Sequence, residues 1–288
     1  MADISPAMVM KLRKMSGQGM MDCKRALQDT DGDVEKAMDL LRKKGLATLA
    51  KRASRDTSEG LVVSKISPEG KTAAMATLCC ETDFVAKSDY FVATAQILAD
   101  VALACPADEG IENVLETSAN GRKFSDIMTE LVSKTGEKTE VGDYAKYKLD
   151  GPGLISTYIH FNEKVGTMVQ FETSNDATAT GDAIKQAASD IAMHITATKP
   201  LALDKDQIDP EIIEREKAIF AEQVKNKPAN IIDKIVEGKM MKFYAENCLL
   251  QQPFVKDDSK SVEQIVADAA KQAGGQAKIK RFVRFEVG

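Results

Sequence analysis

The chain has 288 residues, of which 43% are hydrophobic and 29% charged, and its formal net charge is -5. This length allows one to three domains with a hydrophobic core. The negative balance argues against direct binding of nucleic acid, which needs a basic face for phosphates.

The N-terminal region predicts three short helices. Ser5 and Pro6 form an N-cap and a first-turn proline for the first helix. Asp33 is expected to cap the third helix, and Gly45 to end it. The charged segment at 50–60 then predicts a linker.

The remainder of the chain repeats itself, which is a signal about the fold. "GLVVSKI" (60–66) matches "GLISTYI" (153–159), and each predicts the first strand of a hairpin. "CETDF" (80–84) matches "FETSN" (171–175). In this alignment the first strands of the two hairpins are displaced by 93 residues, and the segments that end their second strands are displaced by 91 residues.

Each hairpin is followed by two predicted helices and a strand. The later helices, at 124–136 and 261–274, are displaced by 138 residues, and strands at 142–150 and 278–288 follow them. An insertion of about 47 residues in the second copy is therefore expected. In the last strand, alternation predicts one apolar face that contains Ile279, Arg281, Val283, Phe285 and Val287.

The insertion predicts a projecting antiparallel helical hairpin, from helices at 210–227 and 229–247. The predicted fold class is α+β, with an N-terminal bundle, a duplicated hairpin–helix–helix–strand core and this inserted hairpin. The predicted division is 1–55 for the bundle and linker, 56–150 for the first core copy, 151–200 with 236–288 for the second, and 201–235 for the inserted hairpin.

The chain lacks the motifs of common catalytic and metal sites. Its five cysteines form no CxxC and it has only two histidines, so free thiols in a reducing cytoplasm are expected rather than disulfides or zinc. No secretory or membrane-spanning stretch is present. No phosphate loop, GxSxG or HExxH occurs. His194 lies on an apolar helix face and predicts a core or hinge residue, so we expect no enzyme activity and no cofactor.

Asp83 and Phe84 lie side by side on a short connection. One interpretation is structural: Phe84 tucks under the sheet and Asp83 caps the next helix. The alignment places Ser174 and Asn175 at these positions of the second copy, so the pair is absent there. This difference favours a contact with another molecule.

Two further positions leave alternatives open. Met20 and Met21 suit either a small core or an adaptable protein-binding surface, and we expect one to pack inward and one to face out. His160, at the end of a predicted hairpin strand, is either a partner contact or an ordinary edge residue.

"LRKMSGQGMMDCKRAL" (12–27) and "TDFVAKSDYF" (82–91) resemble the two signatures of the elongation factor Ts family, and "IAMHITATKP" (191–200) is also similar. The family consists of guanine-nucleotide exchange factors for elongation factor Tu. The resemblance implies a ubiquitin-associated-like bundle, a duplicated core and a coiled-coil insertion.

The resemblance also implies roles for individual residues. Residues implied to contact elongation factor Tu are Leu12, Met20 and Met21 in the bundle and His160 in the second core copy. Residues implied to enter the partner near its nucleotide and Mg²⁺ are Thr82, Asp83, Phe84 and Val85. A homodimer through the helical hairpin is a further possibility. The main competing hypothesis is a scaffold whose bundle binds a ubiquitin-like protein or a peptide.

Overall fold

The computed structural model describes residues 4–16 and 18–288, and its elements confirm a mixed α+β class. The N-terminal region contains α1 (Pro6–Ser16), α2 (Met20–Asp29) and α3 (Val34–Arg52). The predicted caps are confirmed, because Ser5 Oγ accepts the Met8 N–H at 3.3 Å and Asp33 accepts two N–H groups of the first turn of α3. Predictions for residues 1–3 and 17 lie outside the described part.

The first unit follows this bundle. Its elements are β1 (Glu59–Ile66), β2 (Thr72–Cys80), α4 (Asp83–Ala86), α5 (Asp89–Ala104), α6 (Ile111–Glu116), β3 (Ser118–Ala119), β4 (Arg122–Lys123), α7 (Phe124–Thr135) and β5 (Thr139–Lys148). Strands β1, β2 and β5 form an antiparallel sheet in that order, and β3 pairs with β4.

The second unit has a similar order with additional helices. Its elements are β6 (Gly153–Ile159), β7 (Val165–Thr173), α8 (Asp176–Thr180), α9 (Asp182–Thr198), α10 (Pro210–Gln223), α11 (Ala229–Asn247), β8 (Pro253–Phe254), β9 (Asp257–Ser261), α12 (Val262–Gln272) and β10 (Ala277–Glu286). Short 3₁₀ turns cover Lys205–Gln207 and Leu249–Gln251. Strands β6, β7 and β10 form the second antiparallel sheet.

The two sheets pack against each other and helices cover their outer faces. Val62, Met75 and Tyr147 of the first sheet meet Met168 of the second sheet, and Val287 just after β10, in one buried cluster. Helices α5 and α7 cover the first sheet, whereas α9 and α12 cover the second. Because both faces of each sheet are covered, the central strands β2 and β7 are almost continuously buried.

Helix α3 continues past Gly45 to Arg52, so the prediction that Gly45 ends it is wrong. The helix packs on α7 at this point. A Cβ on Gly45 would lie 2.9 Å from the backbone oxygen of Thr129 and 3.0 Å from Cβ of Ser133. The glycine therefore permits a close helix crossing, and the linker is shorter than the predicted segment at 50–60.

The last strand contains a β-bulge that changes which side chains share a face. Ile279 pairs with Phe171 and Arg281 with Gln170, which leaves Lys280 as an extra residue. Ile279 consequently packs under the helices, whereas Val283 packs between the sheets. The prediction that Ile279 shares a face with Val283 is wrong, because an extra residue inverts the alternation.

Helices α10 and α11 pack against each other, and their base lies against the second unit. Pro210 is in the first turn of α10, where its missing N–H costs no hydrogen bond. The predicted boundary at residue 235 falls inside α11, which ends at Asn247.

Candidate partner-binding site

The short helix α4 follows directly from β2 and is fixed at its first residue. Thr82 is its N-cap, with Oγ1 accepting the N–H of Val85 at 3.4 Å. The Thr82 hydroxyl and N–H also donate to the two carboxylate oxygens of Glu137, at 2.8 and 3.1 Å. The Cys80 thiol donates to the Thr82 carbonyl at 3.2 Å. These contacts hold a one-turn helix that is too short to be stable alone.

Glu81 secures the same connection from the other side. Its carboxylate accepts the N–H of Lys138 at 2.6 Å and two bonds from Arg52, at 2.8 and 2.9 Å. The Lys138 N–H, and then the Arg52 guanidinium, hold the pKa of Glu81 below its ordinary value. Because Arg52 is the last residue of α3, this pair also ties the bundle to the base of α4.

Phe84 projects from α4 into solvent with 84% of its surface exposed. The structural interpretation, in which it tucks under the sheet while Asp83 caps the helix, therefore fails on both points. Asp83 instead pairs with Nζ of Lys87 at 2.7 Å, and this hydrogen bond lowers the Asp83 pKa. Val85 is half-buried and packs against the core of the first unit. Of the four predicted loop residues, Thr82 and Val85 thus anchor the turn, and Asp83 and Phe84 face outward.

The pairing of the strands corrects the alignment of the two units. Gly60 lies opposite Cys79 in the first hairpin, and Gly153 lies opposite Glu172 in the second. Both strands of the hairpin are therefore displaced by the same 93 residues, not by 93 and then 91. The last strands are displaced by 138 residues, as β5 and β10 begin at 139 and 277. The insertion is then 45 residues, the difference between these displacements, rather than about 47.

This register changes what the second unit says about the loop. Helix α8 is also a single turn, and its cap is Asn175, whose side chain accepts the Thr178 N–H at 2.8 Å. Asp83 thus corresponds to Asp176, and Phe84 corresponds to the exposed Ala177. The expectation that the second unit lacks both residues is wrong, because it retains the acid. What distinguishes the first unit is the phenylalanine.

The predicted docking residues of the bundle occupy different environments. Met20 and Met21 are 49% and 59% exposed, so the expectation that one of them packs inward is wrong. Both lie at the start of α2, whereas the buried face is formed by Cys23, Ala26 and Leu27 farther along. Leu12 is fully buried in the bundle core and presents no surface for a direct contact. Leu12 therefore supports the bundle from within.

His160 lies in the turn between β6 and β7 and is half-buried. Its Nδ1 is 3.1 Å from the Tyr158 hydroxyl, and its ring centroid is 4.4 Å from that of Phe161. Phe161 is 89% exposed and was not predicted as a site residue. The available signal was its place: a phenylalanine opens the turn "FNEK", where polar residues are usual.

The other histidine is structural, as predicted. His194 is fully buried, with Nε2 2.8 Å from the amide oxygen of Gln252 and Nδ1 accepting the N–H of Val255 at 3.3 Å. Burial lowers its pKa. This pairing requires a proton on Nε2 and a neutral ring.

Within residues 4–16 and 18–288, no group of three or more His, Cys, Asp or Glu is placed to hold a metal ion. Over the same residues no helix has the length and apolar character needed to span a bilayer. The predicted site consists of side chains displayed on the protein surface, such as Phe84, together with the residues that hold them.

The chain is thus an α+β protein that displays an exposed phenylalanine on a capped turn, and comparison with known proteins identifies its family. The profile of the family Elongation factor TS matches residues 81–288. A protein named Elongation factor Ts from a Nitratiruptor species is 43% identical over 287 residues, which cover 99% of this chain and 93% of that protein. A protein of the same name from Desulfovibrio desulfuricans is 38% identical over 291 residues, which cover 100% of this chain and 99% of that protein. The chain belongs to the elongation factor Ts family.

Proposed function

We propose that this chain is a guanine-nucleotide exchange factor of the cytoplasm, which binds elongation factor Tu carrying GDP and promotes replacement of GDP by GTP in translation. The observation that carries the proposal is the exposed Phe84 on a firmly capped turn. A phenylalanine displayed on a fixed support favours insertion into another protein. Family membership supports the choice of partner.

Each region of the chain is proposed to have its own role in the complex. Residues 1–55 are a ubiquitin-associated-like bundle that docks on the nucleotide domain of the partner through Met20 and Met21. Residues 56–150 form the first copy of a duplicated core, and 151–200 with 236–288 form the second. Residues 201–235 form most of an inserted coiled-coil hairpin. His160 contacts a different domain of the partner.

Phe84 and Asp83 are proposed to act together on the nucleotide site of the partner. A bound diphosphate is held by backbone N–H groups, a lysine and Mg²⁺. Burial of one phenylalanine contributes roughly 2 kcal/mol, enough to hold displaced helices apart. The carboxylate of Asp83 perturbs the polar surroundings of the metal. Thr82 and Val85 keep both side chains aimed outward.

This mechanism couples two binding equilibria and involves no covalent chemistry in the factor. The proposed factor needs no cofactor of its own and contacts neither nucleic acid nor a membrane. If it weakens nucleotide binding, nucleotide must weaken its binding by the same ratio. GTP rebinding then releases the factor from the partner.

The test is release of fluorescent GDP from a Tu-type GTPase, with this chain added at increasing concentration. Accelerated release that saturates with concentration supports exchange. An unchanged release rate contradicts it. Binding of ubiquitin-like proteins to the bundle, with no effect on release, would instead favour the scaffold hypothesis.

The inserted hairpin is proposed as a surface for forming a homodimer. Ile219 on α10 and Met241 on α11 are 43% and 67% exposed. Sedimentation of the wild type beside a variant with both residues changed to Gln tests this. An unchanged monomer mass for both proteins contradicts the proposed dimer.

A further inference from the structure

Phe161 is the most exposed large hydrophobic side chain in the described part of the chain, at 89%. It lies on the β6–β7 turn, on the opposite unit from Phe84. The His160 ring lies against it at 4.4 Å between centroids, and the Tyr158 hydroxyl is 3.1 Å from His160 Nδ1. The phenylalanine therefore stands on a small aromatic support instead of a free loop.

The turn that carries Phe161 is bound to the first unit and to the last strand. The carbonyl of Glu163 accepts the N–H of Val62 at 2.7 Å, and the carbonyl of Lys164 accepts the N–H of Val287 at 2.8 Å. The ammonium of Lys164 pairs with Glu59 at 2.6 Å. These contacts fix the turn against β1.

Glu59 connects this turn to the helix that carries Phe84. It lies opposite Cys80, two residues before the cap of α4. Its charge also contributes to raising the pKa of Lys87, behind the hydrogen bond and charge of Asp83. The supports of Phe84 and Phe161 thus adjoin the same end of β1.

The duplicated register gives an independent observation. Position 161 of the second unit corresponds to Pro68 in the turn between β1 and β2, because the hairpins are displaced by 93 residues. Pro68 is exposed and closes its hairpin without an aromatic ring. Phe161 is therefore not required to form such a turn, as Phe84 is not required to form such a helix.

We propose that Phe161 is a second anchor for the same GTPase, one that sets the affinity and orientation of the factor while Phe84 acts on nucleotide release. This inference rests on the proposed exchange function. An aromatic side chain that is already held in position loses little conformational entropy on binding, and aromatic anchors dominate protein interfaces. A membrane is disfavoured as the occupant, because Glu163 lies in the same turn and the chain is negatively charged.

The test compares Phe161→Ala with Pro68→Ala, the matched change in the other turn. Each is titrated against a Tu-type GTPase loaded with fluorescent GDP, and the release rate is fitted for its maximum and its half-saturating concentration. Phe161→Ala should raise the half-saturating concentration about tenfold with the maximum retained. Phe161→Tyr, which keeps the ring, and Pro68→Ala should both match the wild type.

Several outcomes overturn the inference. If the half-saturating concentration is unchanged in Phe161→Ala, Phe161 is not an anchor. If the maximum release rate falls instead, Phe161 acts on nucleotide release. If a lowered melting temperature of Phe161→Ala accounts for the whole loss of apparent affinity, the residue has a structural role instead. A change in sedimentation mass of the free chain would make a second copy the occupant. If the wild type itself fails to accelerate release, the proposed function fails, which is a distinguishable result.

Discussion

Phe84 and Phe91 are seven residues apart but lie in opposite environments, and this allows a matched test at the scale of single residues. Phe91 is fully buried in α5, whereas Phe84 is 84% exposed. Phe91→Ala should lower the free energy of unfolding by about 3–5 kcal/mol. Phe84→Ala leaves no cavity, so its effect on stability should be far smaller.

The functional expectation for Phe84→Ala is slower GDP release at saturating factor. Binding to the nucleotide-free partner should change less, because the other proposed contacts with the partner remain. Stopped-flow release and a denaturant melt of each variant measure both effects. A large loss of stability with normal release at saturation would show Phe84 to be an ordinary core residue.

His194 predicts a specific pH dependence of stability. Burial lowers its pKa below 6.5, so the folded state binds fewer protons than the unfolded state as pH falls. Its stabilising contribution is complete above the unfolded pKa and is lost as pH falls below it, by at most ~1.4 kcal/mol per pH unit. Urea unfolding at pH 7.5 and 5.5 should show a larger loss for wild type than for His194→Gln. Equal losses would contradict the assignment of a buried neutral ring.

At the scale of elements, two glycines in helices make opposite predictions. Gly45 lies where α3 crosses α7, whereas an added Cβ at Gly238 in α11 has no neighbour within 4 Å. Gly238→Ala should stabilise the protein by roughly 0.5–1 kcal/mol, because alanine favours the helix. Gly45→Ala should destabilise it by ~1–3 kcal/mol, because the helices must separate. Chemical denaturation of both variants measures these changes in the free energy of unfolding. If both substitutions stabilise the protein, α3 and α7 do not make their close contact at Gly45.

The same crossing shows why some elements could be predicted from sequence and others could not. Caps depend on neighbouring residues, so Ser5 and Asp33 were sufficient to place two helix starts. Gly45 resembles a helix end, and only its contact with α7 gives it another role. The extra residue Lys280 in the last strand likewise depends on pairing with β7. Long-range contacts therefore account for these two errors.

The candidate site was predictable to a similar degree. The motif around Phe84 and the turn with His160 were both found from sequence, and the exposed Phe84 agrees with a surface role. The alignment that matched "CETDF" to "FETSN" followed the shared Glu-Thr letters and missed the register. Strand pairing, which sequence letters do not record, is what equates Phe84 with Ala177.

At the scale of the whole molecule, the stacked sheets set the relative position of the surfaces proposed to bind. The guanidinium of Arg281 lies 3.9 Å over the ring of Tyr147, and the Glu163 carbonyl bonds to β1. These contacts join the two units. The β6–β7 turn that carries Phe161 and the helix α4 that carries Phe84 are therefore held in place relative to each other. The bundle is attached differently, through α7 and through the pair between Arg52 and Glu81.

Deletion of residues 1–55 tests whether the bundle serves docking. The core should still unfold cooperatively, because the two sheets and their covering helices remain. The face of α7 uncovered by the deletion includes the polar residues Thr129 and Ser133. The half-saturating concentration for GDP release should rise about tenfold or more, since the proposed docking surface with Met20 and Met21 is lost. The maximum rate should be largely retained, because Phe84 is still present.

One contact complicates this comparison and sets its control. The deletion also removes Arg52, whose guanidinium binds Glu81 directly before the cap of α4. Arg52→Ala in the full-length chain isolates that loss, and the Lys138 N–H bond to Glu81 should keep the turn in place. We therefore expect Arg52→Ala to behave nearly as wild type in the release titration. Wild-type concentration dependence of the truncated chain would mean that the bundle has another purpose, and a lowered maximum in Arg52→Ala would mean that it positions the turn.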